Sequence, residues 1–180
     1  MKSDKVLAII PAAGSGTRFN AEMPKQFFLV GGKPLIEYTV KPFLESDLVT
    51  KICIPINKIE GIYKNLSFFN HPKVEFIEGG NSRAESVLRG LEHNKNSDFE
   101  YVYTHDSVRP NLNIKDLEKL YEEIKSSNSD LVFFYVPIRD SIKEYRKCGD
   151  TTISRDDYYL VQTPQISNRK CLEISLKKCI

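Results

Sequence analysis

The sequence has no apolar run approaching the ~18 residues that a bilayer span needs, and no apolar core of a secretory signal near its first residue. Membrane spanning and export are therefore not expected, and the chain reads as cytoplasmic. It also has little of what disulfide frameworks and metal centres require. Cys53, Cys148, Cys171 and Cys179 show no CxxC spacing, and Cys53 sits inside the apolar run Ile52-Cys53-Ile54. The cysteines read as small, reduced, buried hydrophobes. His71, His93 and His105 form no ligand-like cluster, which argues against a structural zinc ion. Neither sign of charge is in excess: 26 Lys and Arg against 24 Asp and Glu leave a formal net charge of +2. That is too little for a general nucleic-acid footprint, so the basic residues are better treated as local site groups. Repeats, low-complexity tracts and linkers are missing as well. With 41% hydrophobic and 28% charged residues, the 180-residue chain is expected to fold as one domain around one good core.

What is present is concentrated near the start. Val6, Leu7, Ala8, Ile9 and Ile10 form the continuous apolar run of a strand covered on both faces, and Pro11 is expected to stop the ladder by removing a donor. From Ala12 and Ala13 through Gly14, Ser15 and Gly16 to Thr17, every side chain is small. With Gly14 and Gly16 free to take positive φ, backbone N–H groups there can converge on phosphate oxygens. Arg18 and Lys25 flank the loop with a forked cation and a mobile point cation, a pair suited to clamping a polyphosphate whose charge grows during reaction. The plain alternative is a glycine-rich turn with solvated cations. A P-loop is excluded because no Gly-Lys-Ser/Thr follows the glycines, and Phe19 replaces the third glycine of the dinucleotide fingerprint. Glu37 mimics the spacing of that fingerprint's ribose-binding acid, a weak signal alone.

Further along, the pattern alternates. Helices are expected over Pro34 to Leu44, from Ser82-Arg83-Ala84-Glu85 (a capping box) to about His93, after the cap Asn113 with Ile114, Leu117, Leu120, Tyr121 and Ile124 on one face, and from about Asn168. Strands are expected over Lys51 to Ile56, Val74 to Ile77, Tyr101 to Asp106, Leu131 to Val136 and Tyr158 to Val161. Ile59 to Asn70 reads as irregular or a short helix. The fold class is α/β: a mostly parallel, Rossmann-like sheet with helices on both faces and ligands beyond the carboxyl ends of its strands. Ile138 to Tyr159 interrupts the alternation as a protruding polar β-hairpin turning near Gly149-Asp150.

Pro11-Ala12-Ala13-Gly14-Ser15-Gly16-Thr17-Arg18 followed by Met23-Pro24-Lys25-Gln26-Phe27 resembles the signature of the 2-C-methyl-D-erythritol 4-phosphate cytidylyltransferases. Three more blocks, in the family's order, extend the resemblance over nearly the whole chain: Gly79 to Val87, His105 to Pro110, and Gln162 to Gln165. The resemblance implies transfer of CMP from CTP to a sugar-alcohol phosphate in isoprenoid precursor synthesis, with release of pyrophosphate. It implies that the loop from Pro11 to Thr17 wraps the nucleotide, that Arg18 meets the β- and γ-phosphates, and that Lys25 stabilises charge developing at the α-phosphate. Gly80, Asn81, Arg83 and Ser86 fall in the block that reads cytosine, with Asn81 where the family often has an acid. Asp106 would hold Mg²⁺, a hard cation content with few protein oxygens. Arg109, Ser141, Arg155 and Thr163 match acceptor-site positions, Ser141 standing where the family commonly has Thr. His105 has no assigned role and reads as a satisfied structural histidine. The resemblance further implies a homodimer formed through the hairpin arm. Family members usually continue for some tens of residues past the Thr-Pro-Gln block, through a helix and a lysine-bearing strand; that segment is expected to be missing here, and weak CTP binding with slow transfer is expected to follow. Ribitol 5-phosphate is the alternative acceptor, and a CTP-binding module with little turnover the alternative class.

Overall fold

The computed structural model describes residues 5–14, 23–57, 61–146 and 148–180. Along the chain the elements are β1 (Val6–Ile9), β2 (Leu29–Val30), β3 (Lys33–Pro34), α1 (Leu35–Glu45), β4 (Val49–Ile56), β5 (Val74–Glu78), α2 (Arg83–His93), β6 (Tyr101–Thr104), α3 (Ile114–Ser126), β7 (Leu131–Pro137), β8 (Ile142–Glu144), β9 (Thr151–Ile153), β10 (Tyr159–Asn168) and α4 (Arg169–Cys179). Every residue of β1 is fully buried because its alternating side chains feed two cores. Val6, Ala8 and Ile10 pack with Ile36, Val40 and Phe43 of α1 and with Leu117, Leu120 and Ile124 of α3. Leu7 and Ile9 point the other way, to Val87 and Leu91 of α2, with Leu172 and Leu176 of α4 closing that side. The uninterrupted apolar run follows from this double coverage.

The main sheet has the order β5-β4-β1-β6-β10-β7. Strands β1, β4, β5 and β6 are parallel, and β10 lies antiparallel between β6 and β7. After β1 the chain crosses through α1 to β4 on one side, and after β6 it crosses through α3 to β7 on the other. The loops leaving the carboxyl ends of β1 and β6 therefore part, opening the crevice where α/β sheets receive ligands.

Three local expectations need correction. Pro11 does not stop the ladder: Ile10 N donates to Cys53 O (3.0 Å), Ala12 N donates to Pro55 O (2.8 Å), and Ala12 bridges Ile56. Donors alternate between neighbouring strands, so the pairing with β4 never calls on residue 11. Ser82 does cap α2, accepting from Glu85 N, but the Glu85 carboxylate returns to Asn81 N rather than to the cap's own amide. The reciprocal box is found instead at Asn113 and Asp116 of α3. Finally, β10 runs on past Val161 to Asn168, through Gln162 to Pro164. Its register with β7 shifts between Val161 and Gln165, and a proline inside such an irregularity hides a strand from its period.

The arm is present. β8 and β9 pair Ile142 with Ile153 through Glu144 with Thr151, and Gly149 at φ +124° serves the turn. A 3₁₀ turn, Ile62–Asn65, lies in the stretch read as irregular or short helix, whose residues 59 and 60 lie outside the described ones. All four cysteines are free, but burial holds only for Cys53: Cys148 and Cys179 are exposed and Cys171 is half-buried. The exposed thiols lie on the arm's turn and at the end of α4, where no neighbouring layer covers them. Among the described residues no helix is long and apolar enough to cross a membrane.

Candidate active site

A cleft of about 760 Å³ opens where the loops after β1, β5 and β6 meet. Pro11, Ala13 and Gly14 enter it from β1, Gly80 and Asn81 from the turn after β5, Arg83 and Ser86 from the first turns of α2, and Asp106 from the end of β6. Lys25 joins them at the head of a 3₁₀ turn whose next two residues, Gln26 and Phe27, are buried, so its stem rises from fixed backbone. Ala12 is 3% exposed and is not among the residues lining the cleft, whereas Ala13 and Gly14 beside it are. Ser15, Gly16, Thr17 and Arg18 lie outside the described residues.

The floor of the site is close-packed by necessity. A Cβ added to Gly79 would lie 2.3 Å from Ala13 Cβ, so the turn after β5 can touch the loop after β1 only through glycine. That turn is braced atom by atom. Arg89 donates to Gly79 O (2.9 Å) and to Glu85 Oε1 (2.7 Å), Glu85 Oε2 accepts from Asn81 N (2.7 Å), and Ser86 Oγ accepts from Gly80 N (3.0 Å). The Asn81 amide and the Arg89 guanidinium hold the Glu85 carboxyl below its usual range. The backbone amides of Gly80 and Asn81 are thus already engaged within the turn. The groups left to read a base are the carbonyls, the Asn81 side chain and the Ser86 hydroxyl hydrogen.

Asp106 sits between two guanidinium groups. Arg83 Nε donates to Oδ1 (2.8 Å) and Arg109 Nε to Oδ2 (3.0 Å), while Arg109 Nη1 reaches Gln162 Oε1 (2.7 Å) and Asp106 N donates to Thr163 Oγ1 (3.3 Å). Residues 83, 106, 109, 162 and 163 come together because β10 inserts beside β6. His105 is 1% exposed, packs on Phe43, and faces Arg109 O through Nε2 (3.0 Å). Desolvation pushes its pKa down to about 4 against the opposing pull of that carbonyl and of Asp106. A neutral ring bonded to a carbonyl carries its hydrogen on Nε2, and the buried Nδ1 has no hydrogen-bond partner among the described residues. The histidine is therefore only half satisfied, and it fixes the loop carrying Asp106 and Arg109.

Residues 6–180 match the family model described as 2-C-methyl-D-erythritol 4-phosphate cytidylyltransferase. The chain belongs to this cytidylyltransferase family. It is 35% identical over 179 residues to the 2-C-methyl-D-erythritol 4-phosphate cytidylyltransferase of Blochmanniella pennsylvanica, covering 97% of this chain and 74% of that protein. The same-named protein of Aliivibrio fischeri (strain MJ11) is 33% identical, with 96% and 73% covered. Among solved structures, that of the Francisella tularensis 2-C-methyl-D-erythritol 4-phosphate cytidylyltransferase superposes with a TM-score of 0.81 at 32% identity, over 98% of this chain and 78% of that one. As a member of the cytidylyltransferase family, the chain is a nucleotidyltransferase enzyme with a Rossmann-like α/β fold.

Against that family background, the cleft gathers nine of the residues singled out in sequence and Asp106 draws Arg109 and Thr163 to its rim. Ser141 and Arg155 do not line it. Arg155 donates to Arg139 O and lines a second hollow of about 720 Å³ with Phe133, Tyr135, Tyr158 and Tyr159. Sequence reasoning passed over Gln26 and Asn57, which also line the cleft. For Asn57 a signal existed: a polar residue directly after the apolar run of β4 stands at a strand's carboxyl end. Among the described residues no three His, Cys, Asp or Glu side chains converge as a metal site. Asp106 alone nonetheless suits Mg²⁺, which takes one or two carboxylates and completes its shell with phosphate oxygens and water. Each of its oxygens accepts one arginine bond and keeps further lone-pair capacity.

Proposed function

We propose that this chain, as a single nucleotidyltransferase domain, transfers CMP from CTP to 2-C-methyl-D-erythritol 4-phosphate and releases pyrophosphate. One observation carries the reading: Ala13 and Gly14 of the small-residue loop, Lys25, the turn at Gly80 and Asn81, and Asp106 line one cleft at the switch point of the sheet. An acceptor phosphate oxygen attacks the α-phosphorus of CTP in line, so two anions must be brought together before any bond forms. Positioning and charge neutralisation supply the rate. In this reading the amides of Ala13 and Gly14 take triphosphate oxygens, with Ser15, Gly16 and Thr17 continuing the wrap and Arg18 meeting the outer phosphates. Lys25 meets the charge that grows at the α-phosphate. Asn81 and Ser86 face the base, and Arg83 lies between it and Asp106. Arg109, held by Asp106 and Gln162, faces the acceptor phosphate with Thr163 beside it.

Asp106 is the residue that would hold Mg²⁺ together with triphosphate oxygens. When bound, the ion neutralises charge on the transferring and leaving phosphates. Ser141 and Arg155 lie off the cleft of their own chain, and we assign them to the acceptor pocket of a second copy. The aromatic hollow that Arg155 lines with Phe133, Tyr135, Tyr158 and Tyr159 supports that assignment. Pyrophosphate release, followed with CTP and Mg²⁺ and with methylerythritol phosphate or ribitol 5-phosphate as acceptor, tests the reading. Release with the first acceptor alone is expected. Release only with ribitol 5-phosphate would move the substrate, and CTP binding without release would leave a binding module.

A further inference from the structure

We infer that Gln26 and Asn57 are positioning residues, which fix the amides of the small-residue loop in the direction of the nucleotide's phosphates. The inference rests on the proposed binding of CTP in the cleft. A loop built of Ala12, Ala13 and Gly14 has no side chains with which to hold itself, and its backbone entropy must be removed from outside. Two carboxamides do this. Gln26 Nε2 donates to Ala12 O (2.6 Å) and more weakly to Gly14 O (3.3 Å), and Asn57 Nδ2 donates to Ala13 O (2.5 Å). Three successive carbonyls are therefore held by side chains from two different elements, the 3₁₀ turn beside Lys25 and the end of β4.

The consequence for the amides follows from covalent geometry. In a planar trans peptide the C=O of one residue and the N–H of the next point in opposite directions. Holding the Ala12 and Ala13 carbonyls thus turns the Ala13 and Gly14 N–H groups to the side away from the carboxamides. The Ala12 N–H is already spent on Pro55 O, whereas those of Ala13 and Gly14 have no partner among the described residues. Both residues line the cleft. Carboxamides suit this role because each brings N–H donors without a charge that would compete for the phosphates. Gln26, 5% exposed and next to Lys25, also locks the loop and that cation into one unit. Donors preset for an anion need no reorganisation when it arrives.

Calorimetric titration of the full chain with CTP and with inorganic pyrophosphate tests this, using Gln26→Glu, Asn57→Asp and Asn57→Ala. The acidic variants keep size and replace a donor with an acceptor; Asn57 is exposed, so its variants should fold even if Gln26→Glu does not. Binding of both ligands should weaken about tenfold or more, the scale of one lost hydrogen bond. For the acidic variants the loss relative to the unaltered chain should shrink as pH falls from about 7 toward about 4, the ordinary carboxyl range, because a protonated carboxyl can donate again. A residue that merely fills space would show no such pH dependence. Binding of CTP and pyrophosphate by folded Asn57 variants within twofold of the unaltered chain would overturn the inference alone. No binding of either ligand by the unaltered chain would overturn it together with the proposed function.

Discussion

Lys25 shows what a single residue does here. Its turn is pinned by Phe27 in the core and by Phe27 N donating to Pro24 O (3.0 Å), so the ammonium is delivered to the cleft by backbone that folds without it. Lys25→Ala should keep its circular dichroism and thermal transition while turnover falls roughly 10²-fold, the scale for losing one preorganised charge. Arg18→Ala is expected to do the same on the strength of its place in the sequence. Near-full turnover at saturating CTP and acceptor in a folded variant would remove that residue from the mechanism. Cys53 makes the opposite case, a reactive group kept silent. Burial first, and Glu75 second, push its thiol up to about 12. Because the folded value lies above the unfolded one, its contribution to stability is complete below about pH 9 and is lost as pH rises toward 12. Native protein should therefore be alkylated at Cys148 and Cys179 and spared at Cys53, and Cys53→Val should flatten the alkaline decline in stability. Mass spectrometry that finds Cys53 modified in the folded state would contradict this. Lys25 and Asp106, whose chemistry announces itself in the sequence, both line the cleft. What Gln26 and Asn57 hold could not be read from the sequence, because their partners are carbonyls 12, 14 and 44 positions away, and a carbonyl has no residue type.

At the scale of elements, legibility followed pattern. The unbroken apolar run from Val6 announced a strand covered twice, and Asn113 with the stripe from Leu117 to Ile124 announced α3. The continuation of β10 was hidden because its register slips around Pro164. What no pattern could give is the contact between the turn at Gly79 and the loop at Ala13, since it depends on two elements brought together by β4. Gly79→Ala tests that contact. The new methyl meets Ala13 Cβ, backed by a floor that cannot recede, and one of the two loops has to move. Overpacking of this kind costs about 1 to 3 kcal/mol, read as a lower unfolding midpoint in urea, with KM for CTP rising because the moved loop lines the cleft. Gly32→Ala is a poor control because φ there is positive; Gly14→Ala, where the added atom meets nothing within 4 Å among the described residues, separates crowding from simple loss of a glycine. Equal stability of Gly79→Ala and the unaltered chain would show that the two loops are not in contact in solution.

For the whole molecule, the unexplained surface lies at the end of the sheet away from the cleft. β7 is the edge strand, and Tyr135, Tyr159 and Leu160 on it and its neighbour are 60%, 52% and 54% exposed. An apolar edge next to a protruding arm invites pairing with another chain, and self-association would cover it. Arg155 stands beside that surface and not in its own cleft, so the two facts are met at once if each arm serves the other copy's site. Mixing variants decides the matter. Arg155→Ala leaves the cleft intact and spoils the arm, whereas Lys25→Ala spoils the cleft and leaves the arm. Each variant alone should be nearly inactive. After equal mixing and exchange, half of the dimers pair one with the other, and each of those holds one complete site of two, so roughly a quarter of the unaltered rate should return. No recovery despite mixed dimers verified by mass, or sedimentation as a monomer at working concentration, would confine Arg155 to its own chain and leave the apolar edge without this explanation.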